Sequence, residues 1–259
     1  MIPFYKYQGA GNDFIIIDAR KMQKFLTTEE INKMCDRRFG IGADGLMILK
    51  NKQGYDFQMQ YYNSDGNEGS MCGNGGRCIV AFAKKQGIIE KNCHFLAIDG
   101  GHDAEVITDN KIRLQMSDVE GVKPMKGGYF LDTGSPHFVL FKDDIDTIDV
   151  FKKGRKLRND PVFMPGGTNV NFVEIRNDSE IYVRTYERGV EDETLACGTG
   201  VTAAAISTFI KTKSEKKAYD IAVKGGNLRV EFKAVMDDFT DVWLAGPAEY
   251  VFEGSYNLD

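Results

Sequence analysis

The chain has 259 residues, 42% of them hydrophobic and 27% charged, a globular composition large enough for one big domain or two of ordinary size. Its 33 basic and 38 acidic residues leave a formal charge of −5, which argues against nucleic acid or an anionic membrane as the main partner. No apolar run reaches the roughly 18 residues needed to span a bilayer, and Met1-Ile2-Pro3-Phe4-Tyr5-Lys6 lacks the apolar core of a secretory signal. A strand is expected over Phe14–Asp18, then a helix over Thr28–Arg38, capped by Thr27 or Thr28 with Glu29 and Glu30 in its first turn. After a glycine turn come strands over Leu46–Leu49 and Asp56–Tyr62, then a long apolar helix from near Gly73 to near Gly87. A strand at Ile112–Met116 closes this half. The order then recurs: a strand over Phe138–Phe141, a more charged segment around Ile145–Leu157, strands over Asn171–Ile175 and Ile181–Tyr186, a second apolar helix from Gly198 to about Lys213, and a closing strand at Val242–Ala245.

That recurrence is visible in the residues themselves. Tyr61-Tyr62-Asn63-Ser64-Asp65-Gly66 with Met71-Cys72-Gly73-Asn74-Gly75 matches Thr185-Tyr186-Glu187-Arg188-Gly189 with Ala196-Cys197-Gly198-Thr199-Gly200, at offsets of 186 − 62 = 124 and 197 − 72 = 125. Phe14 and Phe138 hold the same spacing, 138 − 14 = 124. Two copies are too few for a solenoid. The reading is two similar domains, residues 1–120 (completed by the C-terminal tail 248–259) and 121–247, with a site between them. The class is mixed α/β, with many strands around one buried helix per half. Both helices, Ile79-Val80-Ala81-Phe82-Ala83 and Val201-Thr202-Ala203-Ala204-Ala205-Ile206, are apolar nearly all round, the mark of a buried helix.

Cys72 and Cys197 each stand at the start of such a helix, followed by Gly-x-Gly. The first N–H groups of a helix have no partner within it, and the positive end of the helix dipole favours an anion there. The same field favours thiolate over thiol. Each half therefore offers a sulfur beside a carboxylate-sized cradle. A thiolate and a thiol on opposite sides of one carbon could remove a proton from one face and return one to the other. A lone cysteine before a glycine turn more often fills a core than reacts; two at matching positions of a duplicated chain are harder to dismiss. Cys35, Cys78 and Cys93 lack that setting, and five scattered cysteines make no disulfide framework. With no C-x-x-C, no H-E-x-x-H and three dispersed histidines, a metal site is not expected. Gly40-Ile41-Gly42-Ala43-Asp44-Gly45 fits G-x-G-x-x-G, but it follows a helical pattern and precedes a strand, the reverse of the nucleotide-binding context.

Met71-Cys72-Gly73-Asn74-Gly75-Gly76-Arg77-Cys78, Glu187-Arg188-Gly189 leading to Ala196-Cys197-Gly198-Thr199-Gly200, and Gly9-Ala10-Gly11-Asn12-Asp13-Phe14 resemble the diaminopimelate epimerase family, over Gly9 to about Pro247. The resemblance implies two pseudo-symmetric domains, each a set of mostly antiparallel strands wrapped around a central buried helix. It implies interconversion of LL- and meso-2,6-diaminopimelate without pyridoxal phosphate or other cofactor, on the route to lysine and cell-wall peptide. By the same resemblance Cys72 and Cys197 carry the protons, while Gly73, Asn74, Gly198 and Thr199 cradle the reacting carboxylate. Asn12, Asn63, Asn169 and Arg188 hold the substrate, with Arg188 on its distal carboxylate. Glu187 meets the distal ammonium and, with His137, tunes the thiols. The expected partner is this small molecule alone, in a cytoplasmic homodimer. Three departures stand out. Ser135 replaces a frequent Asn, Gly45 replaces a substrate-contacting Gln found in some members, and the loop Gly189–Thr194 is one residue longer than the commoner form. Other readings are a proline or hydroxyproline racemase, a dithiol redox protein and a non-catalytic anion binder.

Overall fold

The structure, a computed structural model, describes residues 1–22 and 25–258. It divides into two compact units. The first comprises Met1–Leu114 together with the C-terminal segment that begins at Gly246; the second is Gln115–Ala245.

The first unit runs β1 (Ile2–Gly9), β2 (Asn12–Asp18), α1 (Thr28–Cys35), β3 (Gly45–Lys50), β4 (Phe57–Asn63), α2 (Gly73–Lys85), β5 (Asn92–Ala97), β6 (Gly100–Thr108) and β7 (Lys111–Gln115). Its strands pair antiparallel except for β2 on β3 and β4 on β5, which are parallel. The strands enclose α2, whose residues from Asn74 to Ala83 are all buried. The second unit runs β8 (Val119–Glu120), β9 (Lys123–Met125), β10 (Gly128–Asp132), β11 (Pro136–Phe141), α3 (Val150–Arg158), β12 (Asn169–Ile175), β13 (Glu180–Glu187), β14 (Asp192–Thr194), α4 (Gly198–Thr212), β15 (Ala218–Val223), β16 (Gly226–Val235) and β17 (Asp238–Pro247). Here too only two pairings are parallel among the described residues, β11 on β12 and β13 on β15. They enclose α4, buried from Val201 to Thr208. Each unit is thus a mostly antiparallel set of strands wrapped around one buried helix. The final strand, β18 (Glu249–Tyr256), returns to the first unit and lies antiparallel to β1.

The end of α1 and strand β1 differ from the sequence reading. Helix α1 stops at Cys35 rather than Arg38, because the Asp36 carboxylate accepts the N–H groups of Arg38 and Phe39 and turns the chain out of the helix. Its start is a capping box between Thr27 and Glu30. Strand β1 lacks a clear apolar alternation because Lys6, only 6% exposed, shares the face of Ile2 and Phe4, while Tyr7 packs with Tyr5 against Phe82 of α2 on the other face. That ammonium is held by the Asp13 carboxylate at 2.7 Å and by the Gly42 carbonyl, as a buried charge requires. The stretch Gly40–Gly45 leads into β3 and not into a helix, so the nucleotide-binding context is absent from it.

Candidate active site

Cys72 caps α2 and Cys197 caps α4, each in extended backbone with no side-chain cap. The first intrahelical bonds are made by Gly76 and Val201, whose N–H groups reach the carbonyls of Cys72 and Cys197. The amides upstream of them have no acceptor within either helix. Among the described residues, no group of three or more His, Cys, Asp or Glu side chains gathers as a metal site. None of the five cysteines is in a disulfide. Burial pushes Cys35 up to about 11 and Cys78 up to about 12, and raises Cys93 as well, so these three are inert thiols of the core.

In the first unit, Cys72 Sγ lies 3.6 Å from Asn12 Oδ1. Asn12 is oriented from behind: its Nδ2 donates to Asp44 Oδ2 at 2.6 Å, and the Asn74 amide donates to its Oδ1 at 3.4 Å. Asp44 is itself held by Arg37, which also grips Asp13. Burial alone would raise Asp13, but hydrogen bonds from Arg37 and Lys6 outweigh it and bring it down to about 2. Arg77, fully buried, donates to Asn74 Oδ1 at 2.8 Å and to the carbonyls of Gly73 and Pro247. Asn63 ends β4 with its side chain exposed and pairs with Gly45. A Cβ at Gly45 would meet the Tyr61 ring at 2.6 Å and its hydroxyl at 2.7 Å. The space that a longer residue 45 would need is therefore filled by Tyr61, a residue the sequence reading missed.

In the second unit, parallel pairing sets His137 of β11 beside Asn169 of β12. Antiparallel pairing sets Asn171 beside Thr185 of β13, two residues before Glu187. His137 Nε2 is 2.9 Å from Thr199 Oγ1, which is 3.5 Å from Cys197 Sγ. Burial, reinforced by the Arg188 charge, pushes His137 down to about 3, so it is neutral at physiological pH. Burial also raises Glu187, while Thr194 and the Cys197 thiol, which face it, pull it back. Asn169 is pinned by three groups: its amide donates to Ser135 Oγ at 2.9 Å and the Pro136 carbonyl at 3.0 Å, and its Oδ1 accepts the Arg188 N–H at 2.7 Å. Ser135 thus serves as an acceptor for Asn169. Gly200 has a steric reason to be glycine, since a Cβ there would sit 2.5 Å from Asn171 Oδ1 and 3.3 Å from Cys197 Sγ. Glu187 and Arg188 leave β13 through a loop that folds back as β14, with Glu187 opposite Asp192.

Each unit thus gathers its own set: Cys72, Asn12, Asn74 and Gly73 around the start of α2, and Cys197, Thr199, His137, Asn169, Glu187 and Arg188 around the start of α4. Asp44, Arg77 and Asn171 join them and were not singled out from the sequence; in each case the signal is a polar side chain in an otherwise apolar run, or beside a site residue. The model of the family described as diaminopimelate epimerase matches residues 4–122 and 129–251. The chain belongs to the diaminopimelate epimerase family. A relative from Flavobacterium psychrophilum, named diaminopimelate epimerase, is 52% identical over 251 residues, covering 96% of this chain and 98% of its own. One of the same name from Chlorobaculum tepidum is 44% identical over 258 residues, covering 96% and 99%. Among solved structures, a phenazine biosynthesis protein of the PhzF family from Bacillus anthracis has the same fold, with a TM-score of 0.77 at 14% identity and 98% coverage of both chains. The fold of this family member is therefore one that other chains also use.

Proposed function

We propose that this chain interconverts LL- and meso-2,6-diaminopimelate by direct proton transfer at one α-carbon, with Cys72 and Cys197 as the two proton carriers and no pyridoxal phosphate. The observation that carries the reading is that each unit caps its buried helix with a cysteine directed at hydrogen-bonding groups rather than into the core: Asn12 in one, Thr199 and Glu187 in the other. Inversion needs one proton removed and another delivered to the opposite face, and the proposal gives one task to each sulfur, exchanged in the reverse direction. Helix-start amides at Gly73, Asn74, Gly198 and Thr199 bind the α-carboxylate and stabilise the charge that spreads into it as the C–H bond breaks. Glu187 lies against Cys197, which supports giving it the thiol proton when Cys197 acts as base. Arg188 takes the distal carboxylate, and Asn12, Asn63 and Asn169 orient the rest. The proposed setting is a cytoplasmic homodimer; that none of the five cysteines is in a disulfide fits a reducing compartment.

Purified, reduced protein in D₂O with LL-diaminopimelate and no added cofactor is expected to form meso product and place deuterium at one α-carbon. Cys72→Ala and Cys197→Ala should each lower epimerisation by at least about a thousandfold without loss of fold. Turnover of proline with none of diaminopimelate would overturn the reading, as would full activity in either alanine variant.

A further inference from the structure

The hydrogen bonds behind His137 run in one direction, and the donors can be assigned from chemistry rather than from electron-poor atoms. Asn171 Nδ2 lies 3.0 Å from His137 Nδ1 and also faces the Phe138 carbonyl at 3.4 Å. A carbonyl oxygen only accepts, so the Asn171 atom facing it is the NH₂ group. The Thr185 hydroxyl, 2.9 Å from Asn171 Oδ1, donates to the other end of the amide and holds it there. His137 Nδ1 therefore accepts, and the ring proton of the neutral imidazole sits on Nε2. Asn169 also approaches Nε2, at 3.5 Å, but its two amide protons are already directed to Ser135 and Pro136. The Nε2–H then donates to Thr199 Oγ1, leaving the Thr199 hydroxyl proton for Cys197 Sγ. His137, Asn169, Asn171, Thr185 and Cys197 are buried, while Ser135, Pro136 and Thr199 are half-buried, so water does not compete at the Asn171–His137 contact that sets the assignment. Room for Asn171 Oδ1 exists only because residue 200 is glycine.

We propose that Asn171, anchored by Thr185, is a positioning residue that fixes His137 as the Nε2–H tautomer and so aims the Thr199 hydroxyl proton at the Cys197 sulfur. A sulfur that receives a hydrogen bond is a better-stabilised thiolate. The opposite tautomer would make Nε2 an acceptor, draw the Thr199 proton to the imidazole and turn a lone pair toward Cys197. This inference rests on Cys197 being a proton carrier, but its structural core does not.

The test is ring ¹⁵N–¹H correlation spectroscopy on protein labelled at its three histidines, His94, His102 and His137, with His137 assigned by its loss in His137→Gln. At neutral pH the wild-type spectrum should show His137 protonated on Nε2 and bare on Nδ1. Asn171→Asp keeps the side-chain shape but offers Nδ1 a carboxylate; the ring proton should move to Nδ1 or a second proton should be gained. In that variant kcat should fall about tenfold or more with KM little changed. A wild-type His137 protonated on Nδ1 would overturn the inference, and that measurement needs no variant to fold. An unchanged tautomer in Asn171→Asp would overturn it equally. Either result would leave the proposed reaction standing, whereas an active Cys197→Ala would remove the reaction and leave the tautomer as found.

Discussion

His137, which contacts Thr199 beside Cys197, also bears on stability. In the folded chain it keeps its neutral form down to about pH 3, whereas an ordinary histidine takes up its proton near 6.5. Between those values the unfolded chain binds one more proton than the folded one, so this residue subtracts stability as pH falls through 6.5 and stops doing so below about 3. From neutral pH to about pH 4.5 the loss attributable to it is about 3 kcal/mol. Urea unfolding of wild type and His137→Gln at both pH values should show the wild type losing more by that amount; parallel losses would contradict a buried neutral imidazole. At this scale the sequence was informative where a motif was repeated. Cys72 and Cys197 stood out because they occur at one spacing in two glycine-rich settings, whereas Thr199 and Glu187 were named by the family resemblance. Asn171 was not legible, because it lies inside the strand pattern Asn169–Ile175 and reveals itself only through its neighbour across the sheet. Tyr61 was given no role for a related reason: its ring covers Gly45, diagonally across the sheet.

Elements were legible where their pattern is set by burial. The central segments of α2 (Ile79–Ala83) and α4 (Val201–Ile206) are apolar nearly all round, and their residues are buried accordingly. Helix α3 is harder to place. The charged segment expected around Ile145–Leu157 begins its helix only at Val150, capped by the Asp149 carboxylate, while Ile145 and Ile148 are already in the core ahead of it. What seats α3 is a glycine. A Cβ on Gly154 would run into the side chain of Tyr186 of β13, which is fully buried. Gly154→Ala gains helix propensity yet forces backbone to move, so it should cost about 1–3 kcal/mol. A lowered Tm would agree with this packing, and an unchanged or raised Tm would show that α3 is not held so closely. Because Tyr186 adjoins Glu187, the same substitution should disturb activity more than its stability cost accounts for.

For the whole molecule, duplication was the most readable property, since an internal offset of 124 or 125 residues survives in several unrelated motifs. The strands at the outer limits of the first unit were not readable. β1 hides behind Lys6, and β18 is exposed along nearly all its length, so it offers no alternation to detect. Its role is plain only from pairing: Ile2 lies opposite Tyr256 and Phe4 opposite Gly254, with the Phe252 ring edge-on to Phe4 at 5.9 Å. A chain ending at Ala248 should therefore lose amide-exchange protection in β1 and β2 while α4 and β12 keep theirs. Uniform loss across both units, or none, would refute that division. The same pairing governs the order of events during synthesis. Everything in the second unit lies in one uninterrupted stretch, whereas the first unit needs a strand translated after all of it. The half made later is thus the first whose strands are all synthesised. Until then the nascent β1 keeps an unpaired edge, and a chaperone that shields such edges would be needed longest by the residues that emerged first.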